Sequence, residues 1–129
     1  ELVILAVALN TSPVVLVYPG PYDENVELFP GRDVTQLDAA EWFSGEMPKW
    51  MARKIHPSAG QSKAANEERE AAIEWSAATR MLILWRELEN VRETRLAILT
   101  RPDAEEYSEQ IEFYDNRIRR LEQEILRSM

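Results

Sequence analysis

The sequence predicts an α+β fold: a small N-terminal β-hairpin or three-strand module with short helices, followed by a long antiparallel α-helical hairpin. Three observations predict it. All four glycines (Gly20, Gly31, Gly45, Gly60) and six of the seven prolines lie in the first sixty residues, which marks a turn-rich segment. From Gln61 to Met129 there is no glycine and one proline, Pro102, a composition suited to long helices. Within that stretch apolar residues recur at helical spacing on both sides of a single break. The expected modules are therefore residues 1–60 and residues 61–129, with helices over about 62–99 and 102–128.

Leu2–Leu9 is apolar on both faces and reads as a strand buried on both sides, although periodicity alone also allows a short buried helix. Asn10-Thr-Ser-Pro13 has turn chemistry, and Val14–Tyr18 is a β-branched run that would complete a hairpin. Pro19-Gly20-Pro21 stops it, and Val26–Phe29 offers a third strand before the turn at Pro30-Gly31. So few strands cannot bury both faces of a sheet alone. Thr35-Gln-Leu-Asp38 resembles a capping box with Asp in place of Glu, opening a short helix through Phe43 that Gly45 ends. Pro48 suits the first turn of another helix running to about Ile55. His56–Gly60 reads as the linker.

In the first long helix Ile73, Ala77, Met81, Leu84, Leu88 and Val91 form one apolar stripe. Thr100–Asp103 breaks the chain, and Pro102 with Asp103, Glu105 and Glu106 suits the positive end of a new helix. The second helix carries Tyr107, Ile111, Tyr114, Ile118, Leu121 and Ile125 on a heptad spacing. A tight turn about Arg101 would pair Val91 with Ile111, Leu88 with Tyr114, Leu84 with Ile118, Met81 with Leu121 and Ala77 with Ile125. Every such pair is apolar. Arg95 takes an apolar slot, and the same register sets it near Tyr107, where its guanidinium could stack on the ring.

A second stripe, Trp75, Ala78, Leu82 and Trp85, is left over by that pairing. It either packs on the chain's own front module or joins another protein. A continuous first helix would be about 55 Å long, more than a module of sixty residues can cover. The expected protein interface is therefore Trp75, Ala78, Leu82 and Trp85 together with Leu2 and Ile4 of the apolar N-terminal segment, which could complete a neighbour's sheet.

Composition narrows the function classes. Net charge is −8, with eight acids and four bases in residues 1–62 and fifteen acids and eleven bases in residues 63–129. Like charge repels a phosphate backbone, so no nucleic acid is expected as a partner. Ten of the eleven bases in the back half are arginine, which suits forked carboxylate pairs on a helical surface. Arg117-Ile-Arg-Arg120 is a basic knot ringed by Glu112, Asp115, Glu122 and Glu124, so pairing within or between helices is the simpler use. The chain has no cysteine, which removes disulfides, thiolate metal sites and cysteine nucleophiles. Leu2–Leu9 is too short to span a bilayer and lacks the basic leader of a signal peptide. A first residue of Glu1 fits proteolytic maturation and simple trimming equally.

No catalytic constellation is visible, and the chain does not read as an enzyme. His56 is the only histidine and precedes Pro57, where a surface or capping role is expected. Asp23, Glu24 and Asp33 lie near turns without the alternating oxygens of a calcium loop. Glu67, Glu68, Arg69 and Glu70 read as a solvated helical face, as do Glu105, Glu106, Glu109 and Glu112. Catalytic residues, cofactors, metals, small-molecule substrates and membrane contacts are accordingly expected to be none, and the partners are expected to be protein subunits.

A strand ending in Asn10, then Pro13-Val-Val-Leu16, Val26-Glu-Leu-Phe-Pro-Gly31, Val34 and a short helix bearing Trp42 together resemble small β-modules of tailed-bacteriophage head, neck and tail proteins. The likeness covers about a third of the chain and rests on a strand, a Pro-Gly turn and a helix. It implies a structural or assembly subunit of a virion, assembled in the host cytoplasm, with no catalytic residue to carry over. The alternative is a soluble adaptor or regulatory module whose helical hairpin docks a partner helix.

Overall fold

A computed structural model describes residues 1–55 and 62–129. The linker and the role expected for His56 lie outside the described residues. Contacts group the chain into two compact units, Glu1–Ala77 and Ala78–Met129. The division falls inside a helix and not at 60/61, because the first turns of that helix pack with the front module.

The first unit opens with two short helices, α1 (Leu2–Ala8) and α2 (Pro13–Val17), where two strands were expected. Local capping explains the difference. Asn10 adopts φ +52°, and the Asn10 and Thr11 amides donate to the Val7 and Ala6 carbonyls at 3.1 and 2.9 Å, the double closure of a left-handed helix end. Ser12 then caps α2 by accepting from the Val15 amide, with Pro13 at its first position, where a missing N–H costs nothing. Both segments are thus bracketed by helix signals that outweigh the β preference of valine and isoleucine. Nor is Leu2–Leu9 buried on both faces: only Ala6 is buried.

The sheet has two strands, β1 (Asn25–Phe29) and β2 (Arg32–Thr35), paired antiparallel about Pro30-Gly31. Gly31 sits at φ +85°, the left-handed position that a Pro-Gly turn requires of its second residue. Such a turn does not match strand twist, and the ladder slips between Glu27 and Phe29. Helix α3 (Gln36–Phe43) follows directly. Its Thr35 cap accepts from the Asp38 amide at 3.2 Å, and its end closes over Gly45 at φ +80°, with the Gly45 and Glu46 amides donating to Trp42 and Glu41. Helix α4 (Lys49–Ile55) starts behind buried Pro48, as its sequence predicts. Val34, Ala39, Met51 and Ala72 are buried in this unit. The Gly20 amide donates to the Gln36 side chain at 2.9 Å, and Tyr18 meets Phe43 edge-on, which fastens the α2 end to α3.

Helix α5 runs from Lys63 to Leu99 and contributes to both units. In the second unit it pairs with α6 (Ser108–Ser128). Leu84, Leu88, Leu121 and Ile125 form the buried cluster, with Met81, Val91 and Ile118 packed against it. Ile111 and Tyr114 are half-buried outside that cluster, and Ala77 is exposed in the first unit. Ion pairs join Arg80 to Glu124, Glu87 to Arg117, Arg92 to Glu122 and Arg95 to Asp115, which fixes the antiparallel sense.

The tight turn about Arg101 does not form. The chain instead makes a 3₁₀ turn over Ala104–Tyr107, and α6 begins at Ser108 and not near Pro102. Asp103 is drawn to Arg101 at 3.1 Å, and that guanidinium lies 4.7 Å from the Tyr107 ring centre. The connection is longer, so the facing register slides toward the C-terminus. Arg95 meets Asp115 and not Tyr107, whose ring goes to Arg101.

Candidate interaction site

Two features of the first unit and one of the second stand apart from ordinary packing. The first is α1. Its seven residues Leu-Val-Ile-Leu-Ala-Val-Ala make it apolar all round, and Ile4 and Val7 are each 74% exposed. The predicted interface residues Leu2 and Ile4 both lie here, exposed, on a helix and not on a strand edge.

The predicted stripe on α5 is divided between the units. Trp75 belongs to the first, where it is half-buried. Ala78, Leu82 and Trp85 belong to the second and are exposed, Leu82 at 45% and Trp85 at 49%. The helix pair satisfies its seam without them.

The remaining feature is a cavity of about 390 Å³ in the first unit. Phe29 from β1, Trp42 from α3, Trp50 from α4 and Trp75 from α5 line it, with Met51, Ala71 and Ala72. Three of the chain's four tryptophans thus meet at one place. Phe29 and Trp50 touch edge to face at 6.5 Å, and the Arg32 guanidinium lies 4.8 Å from the Trp50 ring centre. Its charged lining residues are Arg32, Lys54 and Glu68: Lys54 pairs with Glu68 at 2.7 Å, while Arg32 approaches the same carboxylate only to 3.8 Å. The Lys54 hydrogen bond, more than the neighbouring charges, holds the Glu68 carboxyl below its ordinary value. Glu68 was expected to be plain solvated surface, yet it links three elements. Arg69 beside it donates to the Ile55 carbonyl at 2.8 Å, which ties α5 to α4.

On two residues that line this cavity, Arg32 Nε and Trp50 Nε1 are closed to solvent and have no hydrogen-bond partner among the described residues. Burying such groups unpaired costs about 1–3 kcal/mol each, more for a charged one. Sequence reading did not find the cavity. Trp42 enters there only through the resemblance and Trp50 not at all, and no spacing rule brings Phe29, Trp42, Trp50 and Trp75 together.

Elsewhere the chemistry is sparse. Burial, with Asp38 and Glu46 nearby, pushes the Glu41 carboxyl up against an opposing pull from Lys49. Among the described residues no group of three His, Asp or Glu side chains could hold a metal, and no helix is long and apolar enough to cross a membrane. Comparison with protein families, characterised proteins and solved structures finds no match.

Proposed function

We propose that this protein is a non-enzymatic interaction subunit of a larger protein assembly. One observation carries the reading: apolar surface stays uncovered in both units after each has built its own core. In the second unit Leu84, Leu88, Leu121 and Ile125 are buried while Leu82 and Trp85 on the same helix are half open. In the first, α1 buries a single alanine. Tryptophan is among the side chains that most often anchor protein interfaces, where aromatic residues supply much of the contact energy.

The finer reading is a head, neck or tail subunit of a phage particle. Its support is the sequence likeness over residues 5–42, reduced to Val26–Trp42 because the segments expected as strands at Leu5–Asn10 and Pro13–Leu16 are helices. The test is native mass across a wide concentration range, alone and with the proteins encoded beside it. A symmetric many-copy complex that shields Trp85 from a soluble quencher supports the proposal. A chain that stays monomeric under every condition, with Trp85 fully quenchable, overturns it.

A further inference from the structure

We infer that the outer face of α6 docks a second copy of this chain, laid antiparallel about a two-fold axis at Asn116. This deepens the assembly reading, on which it rests for the presence of a protein partner, by naming one such partner. Glu109, Glu112, Asn116, Arg120, Gln123 and Arg127 recur at steps of three and four along the helix. They therefore share one face, turned away from the seam that buries Leu121 and Ile125, and all six are exposed. Acids occupy the first half of that face and bases the second, with Asn116 between them. Turned end for end, such a face is its own complement, which is what a two-fold contact requires.

The chain does not use these charges internally. The acids that flank the two arginines on α6 are taken by α5: Asp115 by Arg95, Glu122 by Arg92 and Glu124 by Arg80. Among the described residues Glu109, Glu112, Arg120 and Arg127 join no ion pair. Nor can they pair along their own face. Four residues beyond Glu109 and Glu112 stand Phe113 and Asn116, and four before Arg120 and Arg127 stand Asn116 and Gln123. The helix dipole favours acids early and bases late only in the end turns, and Glu112 and Arg120 lie beyond those.

An antiparallel copy centred on Asn116 sets Glu112 against the partner's Arg120 and brings Glu109 between the partner's Arg120 and the partner's Arg127. Symmetry repeats each contact, giving four charge pairs, whereas a parallel copy would set acid against acid. The two Asn116 amides meet at the axis, where each offers both a donor and an acceptor, and a polar residue there fixes the alignment. Phe113, 64% exposed, borders a hollow of about 200 Å³ with Asn116, Arg117 and Arg120. The same rotation carries the partner's Phe113 to that hollow, where guanidinium groups flank its ring. Exposed ion pairs add little affinity, so these charges choose partner and direction more than they bind, and the dimer is weak and salt-sensitive.

The test is disulfide crosslinking of the full chain, which has no cysteine of its own. Under mild oxidation Asn116→Cys should link two copies, because the axis brings its two positions together, while Gln123→Cys should not. Raising salt from about 0.1 M to about 1 M should slow the linking about tenfold, four exposed pairs each contributing about a factor of two. Two charge-reversed forms of the Asn116→Cys chain test the complement: Glu109→Arg with Glu112→Arg, and Arg120→Glu with Arg127→Glu. Each alone should link at least about tenfold more slowly, and an equimolar mixture should recover the rate as a mixed dimer. Circular dichroism checks that both forms stay helical. No link through Asn116→Cys leaves the face to another protein or to solvent and overturns the inference. Equal linking through Gln123→Cys, or a mixture no faster than its components, also overturns it. If a reversed form does not fold, the two cysteine positions and the salt dependence decide. The chain carrying Leu82→Ser and Trp85→Ser should lose the larger assembly and keep this link, so either reading can fail alone.

Discussion

Replacing Leu88 by alanine should be the most damaging single truncation in the helix pair. Leu88 is 1% exposed and sits among Leu84, Leu121 and Ile125. Removing three carbons forfeits about 2.4 kcal/mol of transfer free energy at about 0.8 kcal/mol per methylene. The vacated volume adds to this, giving about 3–5 kcal/mol in total. A unit the size of Ala78–Met129 is worth only about 3–8 kcal/mol at ordinary stability per residue, so the loss is most of its stability. The matched control is Leu96→Ala on the same helix, where the side chain is 60% exposed and the change should stay within about 0.5 kcal/mol. Urea unfolding followed by far-ultraviolet circular dichroism measures both, with an unchanged slope confirming comparable transitions. Equal effects for the two leucines, or a Leu88 effect below about 0.5 kcal/mol, would refute the packing described for α5 and α6.

Replacing both Leu82 and Trp85 by serine should preserve helix content and abolish assembly by native mass; at 49% exposure Trp85 alone offers about 120 Å², or about 3 kcal/mol, roughly two orders of magnitude in affinity. Unfolding of that variant as an isolated chain would instead make the pair internal core. Thr35→Ala should cost about 1 kcal/mol in thermal or urea unfolding, because the Asp38 amide loses its cap acceptor, while Thr35→Ser should restore it. Glu68 has a folded-state pKa below its ordinary 4.5, so its contribution to stability is complete above that value and fades as pH falls through the depressed one. Glu68→Gln should therefore be less stable than the parent near neutral pH and match it in strong acid; a difference that persists unchanged to acid pH would contradict this linkage.

Much of the fold was legible because its signals are local. The Thr35 cap, the Gly45 stop, the Pro30-Gly31 turn and the Pro48 start each depend on a few adjacent residues, and each sits where the sequence puts it. The two N-terminal helices were misread although their markers were present. Ser12-Pro13 is a helix opening as well as a turn, and Asn10 a helix end, but an all-apolar run has no period with which to choose. The helix-pair register slipped for a different reason: the length of a connection depends on whether Asp103 caps a helix or turns to Arg101. The cavity was illegible because it is a tertiary meeting of residues from β1, β2, α3, α4 and α5. The division of the tryptophan stripe between Trp75 and Trp85 follows from the same cause.

The ion pairs flanking α5 and α6 carry their charges in mixed order: Arg80 faces Glu124, but one heptad along Glu87 faces Arg117. Apolar seams tolerate sliding by a heptad, since leucine meets an apolar neighbour again after seven residues. These charges do not. Moving one helix a heptad in one direction brings Arg80 opposite Arg117, and moving it the other way brings Glu87 opposite Glu124. A slide either way loses both attractions and sets like charges together, so the one of these pairs whose signs are reversed adds a small charge penalty to slides that the buried seam already opposes.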